Sequence, residues 1–323
     1  MGRILVTGAM GQIGSELVPA LRERYGSDHV VASDVRIAPY RLSAGDIRYI
    51  PEHLDCTQAP QVLEVVRRHE IGTIYHLAAL LSAVAEEKPH AAWSINMDGL
   101  YNILEAARQY RCQVFFPSSI GAFGPSTPHE HTPQTAVQRP TTIYGVTKVA
   151  GELLCDYYAG RFGVDVRGLR LPGLISYVAP PGGGTTDYAV EMFHQALRYK
   201  QYSCFLKADA RLPMMYMPDA IRAVIALMEA DSARLRYRNA YNVAAMSVTP
   251  AELAAEIRTH IAGFTIDYRI DPVRQSIAES WPHSLDTSAA RDDWGFAPQF
   301  DLDAMTTDML SRLSAKISAT QAD

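Results

Sequence analysis

The stretch "RILVTGAMGQIGSEL", Arg3 to Leu17, constrains this chain more than any other. A β-branched run reaches Thr7, meets Gly8, Gly11 and Gly14, and gives way to a helical pattern opening at Gln12. A strand that turns straight into a helix leaves its sheet at once. It can rejoin only by a crossover, the connection that parallel strands require. The alternation then continues. Ile4–Thr7, His29–Ser33, Arg48–Ile50, Thr73–Leu77, Gln113–Pro117 and Asp165–Leu171 read as strands. Gln12–Tyr25, Ala59–His69, Ala91–Tyr110 and Gly145–Phe162 read as the helices between them. The expected fold is α/β, a doubly wound parallel sheet of the Rossmann kind with helices on both faces.

After Leu171 the pattern changes. "PGLISYVAPPGGGTTDYA" is rich in proline and glycine and reads as an excursion from the sheet. "PDAIRAVIALMEA" returns as a helix with Asp219 near its start, and "AYNVA" as a late strand. From about Val248 the tail is mainly helical, with one strand at Thr265–Arg269. The division this implies is a nucleotide-type domain of residues 1–174 and 217–245. A smaller, mainly helical substrate lobe takes 175–216 and 246–323.

Composition excludes several classes. The 323 residues carry a net charge of −5, so no basic patch for nucleic acid is expected. No apolar run approaches the roughly 18 residues that span a bilayer. A first strand beginning at Arg3 reads as leaving no room for a leader. Cys56, Cys112, Cys155 and Cys204 are widely spaced, which points to reduced thiols and a cytoplasmic location. No His/Cys/Asp cluster has metal spacing, and "HEH" at His129–His131 reads as an exposed loop.

The glycine turn has a chemical reading. A Cβ there would block the tight turn and the approach of a pyrophosphate, which the following helix would meet with unpaired N–H groups. Asp34, ending "VVASD" twenty positions past Gly14, can accept both ribose hydroxyls and repel an added 2′-phosphate. Arg36 could accommodate that phosphate, but the balance favours NAD over NADP. Gln12, Ile13 and Leu77 belong to the same cofactor surface. Asp55, in "LDC" at the end of the third strand, could bond the adenine amino group. Ala78 and Ala79 in "HLAALLS" would let the cofactor backbone pass closely. A purely structural role serves Asp55, Ala78 and Ala79 nearly as well.

"FFPSSIGAFG" brings Ser118 and Ser119 to the carboxyl edge of the fifth strand, and "IYGVTK" starts the next helix with Tyr144 and Lys148 one turn apart. Ligands sit at that edge in doubly wound folds. A free phenol has a pKa near 10 and is a poor base at neutral pH. A neighbouring ammonium favours the phenolate, which can then take a hydroxyl proton while a serine holds the oxygen.

"TGAMGQIG", "HLAA", "PSSI" and "YGVTK" together resemble the extended short-chain dehydrogenase/reductase superfamily. Within it, "VRGLRLPGLISY", "PGGGTTDYAVEMF", "LPMMYMPDAIRA" and "SWPHSLDTSAARDDWGF" resemble the epimerase-like L-threonine 3-dehydrogenases, from Arg3 to about Leu310. The resemblance implies oxidation of the L-threonine C3 hydroxyl by NAD+, giving 2-amino-3-oxobutanoate, which decarboxylates to aminoacetone. It implies Tyr144 as base, Lys148 lowering its pKa and holding the ribose, and Ser119 placing the hydroxyl, with Ser118 as rival. It implies a pocket of Ser82, Gly184, Thr186 and Asp187 walled by Trp281, a nicotinamide floor that includes Leu171, and a homodimer through the helices around Tyr101 and Gly151. Asp187 could equally be the N-cap of the helix at Tyr188, a role also open to Thr186, for which the pocket is favoured; Trp281 reads by itself as a core or interface residue. Met10, Gly121, Ala122 and Leu171 depart from the usual pattern, the small pair suggesting looser packing behind the nicotinamide. A nucleotide-sugar 4-epimerase or dehydratase, and a non-catalytic NAD-sensing regulator, remain the alternatives.

Overall fold

The computed structural model describes residues 2–36, 51–180 and 182–322. Seven parallel strands form the main sheet: β1 (Arg3–Thr7), β2 (Val30–Asp34), β3 (Glu52–His53), β4 (Ile71–His76), β5 (Gln113–Ser119), β6 (Val166–Leu171) and, after three strands outside it, β10 (Tyr241–Asn242). Their spatial order is β3-β2-β1-β4-β5-β6-β10, so the direction in which successive strands are laid down reverses between β1 and β4. That is the doubly wound arrangement, with its ligand crevice at the β1/β4 switch. The strand expected at Arg48–Ile50 lies outside the described residues.

Burial on both faces explains the near-continuous apolar strands. One face is covered by α1 (Gln12–Tyr25) through Leu17, Val18 and Leu21, and by α8 (Met217–Glu229) through Ile221, Val224 and Leu227. The other is covered by α2 (Ala59–Arg68), α5 (Gly99–Tyr110) and α6 (Ile143–Phe162), with Val62, Ile103 and Cys155 in its core. Thr142 caps α6 by accepting from the Gly145 N–H at 3.0 Å, and Gly163 ends it at φ +69°.

The path from 89 to 110 is not one α-helix. α4 (Pro89–Trp93) passes through a π turn at Ser94–Asp98 into α5, and α3 (Ser82–Glu87) precedes it. The apolar periodicity runs across the insertion, so sequence pattern alone gives no break there. The π turn carries buried Asn96, whose side chain bonds both the N–H (2.8 Å) and the C=O (3.2 Å) of Leu80. Such turns recur at functional sites.

The remaining elements build the lobe. β7 (Gly173–Ile175), β9 (Leu212–Tyr216) and β11 (Met246–Val248) form a three-stranded sheet, and β8 (Gln201–Cys204) pairs with β12 (Thr265–Tyr268). α7 (Tyr188–Tyr199), α9 (Pro250–His260), α10 (Pro272–Glu279) and α12 (Leu302–Ala322) close around a core that includes Phe193, Leu253, Ile277 and Met309. α11 (Ser288–Trp294) lies inside the stretch expected to belong to this lobe. It packs Ala289, Ala290 and Trp294 into the main sheet's core instead.

Candidate active site

The glycine turn is as tight as its sequence demands. Gly8 has φ +67°, and a Cβ on it would stand 2.7 Å from the Ala78 nitrogen, where β4 ends beside β1. α1 then begins with no side-chain cap and no acid in its first turn, so no side chain of its own competes for the N–H groups at its start. Gln12 Nε2 is buried without a hydrogen-bond partner. An orphaned buried donor beside uncapped N–H groups fits a phosphate-bearing cofactor. Ile13 packs on the sheet core, and Leu77 donates its N–H to Thr7 O at 3.2 Å.

Asp34 is buried at the end of β2. Its Oδ2 accepts from the Met10 N–H at 2.9 Å, and its Oδ1 from the Arg36 N–H at 3.0 Å and Nε at 3.3 Å. Oδ2 keeps capacity for a further donor, while Oδ1 already accepts two. Arg36 is thus already turned toward a carboxylate. Asp55 stands two residues past β3, which ends earlier than the sequence suggested. Its Oδ1 accepts from both the N–H and the hydroxyl of Thr57.

β5 runs to Ser119 rather than stopping at Pro117, with Ser118 opposite Arg170 and Ser119 opposite Leu171 on β6. The two serines have different partners. Ser118 donates to Glu152, which is paired with Arg170, whereas Ser119 Oγ accepts from the Gly121 N–H at 3.1 Å and lies on the same side of Gly121 as the Tyr144 ring. Ser119 and Tyr144 are therefore brought together, and Ser118 is drawn off.

Lys148 Nζ donates to Pro117 O at 2.6 Å and stands 5.4 Å from the centroid of the Tyr144 ring. Burial pushes the Tyr144 phenol above its ordinary range, opposed by the Ser119 hydroxyl. Burial also pulls Lys148 down to about 8, against the charge of Glu152. The bare site thus disfavours the phenolate, and an added positive charge at the edge would be needed to reverse that. A cavity of about 10 Å³ beside Lys148, lined in part by Ala78, Ala79, Asn96 and Thr147, has room for one water.

The glycine loop lies over α3. Ser82 Oγ meets Thr185 Oγ1 at 3.1 Å and accepts from the Thr185 N–H at 3.2 Å. Thr185 was missed in the sequence, where Thr186 was preferred; Thr186 packs its Cγ2 over Gly173. Asp187 is the N-cap residue of α7, yet its side chain does not cap the helix. It folds back to accept from the N–H groups of Gly183 (2.8 Å) and Gly184 (2.7 Å). Burial raises its pKa, against those two backbone bonds. The loop N–H groups of Gly183, Gly184 and Thr185 are thus all bonded within the protein. Trp281 is buried in the lobe core, in the cluster that also contains Ile120 and Tyr188.

These features place a phosphate-type turn, a ribose-type acid and a Ser/Tyr/Lys set along one sheet edge. A family model described as the NAD dependent epimerase/dehydratase family matches residues 4–244. The chain belongs to that family. It is 54% identical to an uncharacterized epimerase/dehydratase of Staphylococcus saprophyticus, over 99% of each chain. Among solved structures it is similar to the L-threonine dehydrogenase of Clostridium difficile, with 52% identity, a TM-score of 0.93 and 98% of each chain covered. It is also similar to the holo form of a GalE-like L-threonine dehydrogenase of Cupriavidus necator, with 53% identity and a TM-score of 0.91, covering 96% of this chain and 99% of that one.

Among the described residues no helix is long and apolar enough to cross a membrane. All four cysteines are free and buried. Glu256, His260 and Asp303 bring ligand-type atoms within 4.8 Å of one another across α9 and α12, a grouping invisible to sequence spacing. None of its three residues is buried.

Proposed function

We propose that this family member is an NAD-dependent L-threonine 3-dehydrogenase that oxidises the C3 hydroxyl to give 2-amino-3-oxobutanoate. The observation that carries the reading is the buried Tyr144 phenol, with Ser119 beside it across Gly121 and the Lys148 ammonium against its ring. The L-threonine dehydrogenases to which the chain is similar supply the substrate.

NAD would lie along the β1/β4 edge, its pyrophosphate at Gly8–Gly14 and the start of α1, its adenosine ribose at Asp34, its backbone past Leu77, Ala78 and Ala79. Once bound, its oxidised ring supplies the hydride acceptor. The protein's own part is proton chemistry. Ser119 Oγ holds the substrate oxygen, and the Tyr144 phenolate takes the hydroxyl proton as the C3–H bond breaks. Lys148, freed in part from Pro117 O, would bond the nicotinamide ribose and keep charge beside the phenolate. The loop from Gly182 to Asp187, seated on α3, excludes water and surrounds the amino-acid end of the substrate with Ser82, Thr185 and Thr186. A homodimer through the outward faces of α5 and α6 completes the proposal.

The experiment is a substrate panel. Purified protein with NAD+ should form NADH with L-threonine, slowly or not at all with L-serine, and leave UDP-sugars unchanged. Turnover of a UDP-sugar without threonine-dependent NADH would move the assignment to the epimerase branch of the family.

A further inference from the structure

Three consecutive residues at the end of β5 each meet α6. Pro117 offers its carbonyl to Lys148, Ser118 its hydroxyl to Glu152, and Ser119 sets its hydroxyl beside the Tyr144 ring across Gly121. On α6 those partners recur every four residues, at 144, 148 and 152, which puts them on one face of the helix. The reaction above uses the first two and gives Glu152 no part.

Glu152 is buried and its carboxylate is saturated. Oε1 accepts from Ser118 and from Arg170 Nε (3.0 Å), and Oε2 from Arg170 Nη2 (2.8 Å) and Gln138 Nε2 (2.9 Å). A buried ion pair is weak evidence of stability, because apolar residues of similar volume often serve as well. Its place suggests another use. On α6, Asp156 and Cys155 follow Glu152; on β6, Arg170 neutralises it; from β4, His76 faces Lys148, uncharged because burial holds it near 3. Among these groups the Glu152 carboxylate is the largest influence that favours the charged form of Lys148 against burial.

We infer that Glu152 is a positioning residue for the reaction proposed above, clamping the end of β5 to α6 so that Ser119 meets Tyr144, and supplying the negative charge that keeps Lys148 an ammonium. This rests on the dehydrogenase reading only for its kinetic readout. The electrostatic half can be measured on Lys148 itself, whatever the substrate.

The test uses three variants of the full chain. Glu152→Gln keeps the shape and still accepts from Ser118, but loses the charge. The alkaline limb of kcat/KM should move to lower pH by at least about half a unit, about threefold in the ammonium-to-amine ratio. The Lys148 Nζ titration, followed through ¹³Cε-labelled lysine, should shift down with it in cofactor-free protein. Because Glu152→Gln leaves Arg170 without its counter-ion, the pair Glu152→Met with Arg170→Met, which removes both charges together, guards against a failure to fold. It should shift the titration in the same direction but by less, because the Arg170 charge leaves with the carboxylate. Ser118→Ala breaks the clamp alone and should lower kcat severalfold with the limb in place. A folded double variant with the wild-type Lys148 titration would overturn the electrostatic half, and unaltered kcat in Ser118→Ala the positional half. If L-threonine proves not to be the substrate, the lysine titration still decides the first.

Discussion

Gly121 lies flat against the Tyr144 ring: a Cβ on it would stand 3.1 Å from both Cδ1 and Cε1, and 3.5 Å from Ser119 Oγ. The small residue that looked in the sequence like loosened packing is thus a close approach. Gly121→Ala must push the phenol by a few tenths of an ångström relative to Ser119. Displacements of about 1 Å cost on the order of a hundredfold, so a loss of roughly tenfold in kcat is expected, with NAD+ affinity unchanged. Steady-state kinetics beside calorimetric NAD+ binding would show it, and an unaltered kcat would mean the ring has slack.

Tyr144→Phe removes the proton acceptor and leaves the ring in place. Turnover should fall by at least roughly a hundredfold, the lower range for acid–base catalysis, while NAD+ still binds. Near-normal turnover would take Tyr144 out of the mechanism.

The sheet and the glycine turn were legible because both rest on local pattern: alternation of strand and helix, and glycines where a helix leaves a strand. Tyr144 and Lys148 were legible because α-helical spacing fixes their relation. What stayed hidden depends on distant pairing. Thr185 takes its meaning from Ser82, 103 residues away, and nothing in "GGGTTD" distinguishes it from Thr186. Asp187 read as a helix cap or a substrate ligand, because a bond back to Gly183 and Gly184 depends on a loop fold that no periodicity encodes. Ser118 and Ser119 could not be separated until Glu152 was seen to hold the first.

Asp34 joins the glycine turn, through Met10, to Arg36. Asp34→Ala should weaken NAD+ binding and, by releasing the Arg36 guanidinium, narrow its advantage over NADP+. Titration of both cofactors is the check. Unchanged discrimination would discredit the ribose role.

Glu16, in the second turn of α1, accepts from the Ser176 hydroxyl at 2.5 Å. Burial pushes its carboxyl up to about 7, opposed by Ser176 and by the charges of Arg312 and Lys316. A folded pKa above the ordinary 4.5 means the fold binds that proton more tightly than the unfolded chain does. The stabilisation is complete below about pH 4.5 and is lost as pH rises through 7. Glu16→Gln is always neutral and can still accept from Ser176. Its Tm should nearly match wild type at pH 5 and exceed it by roughly 2 °C at pH 8. A lower Tm for the variant at pH 8 would show that the charged form is the one the fold prefers.

The outer faces of α5 and α6 carry Tyr101, Leu153 and Tyr157, exposed by 50%, 63% and 55%, and Arg108 lies over the Phe162 ring beside them. Leu153 and Tyr157 are four residues apart on one helix and so share a face. A grouped apolar surface of this kind marks an interaction site more often than scattered exposed residues do. Its proximity to α6, which carries Tyr144 and Lys148, would let a partner copy steady the catalytic helix. In solution the protein should therefore sediment at twice the 35.6 kDa chain mass. Leu153→Glu puts like charges across a two-fold contact and should return it to a single chain with its Tm lowered. If wild type already sediments as one chain, the surface has another occupant or none, and Leu153→Glu would leave both mass and turnover where they were.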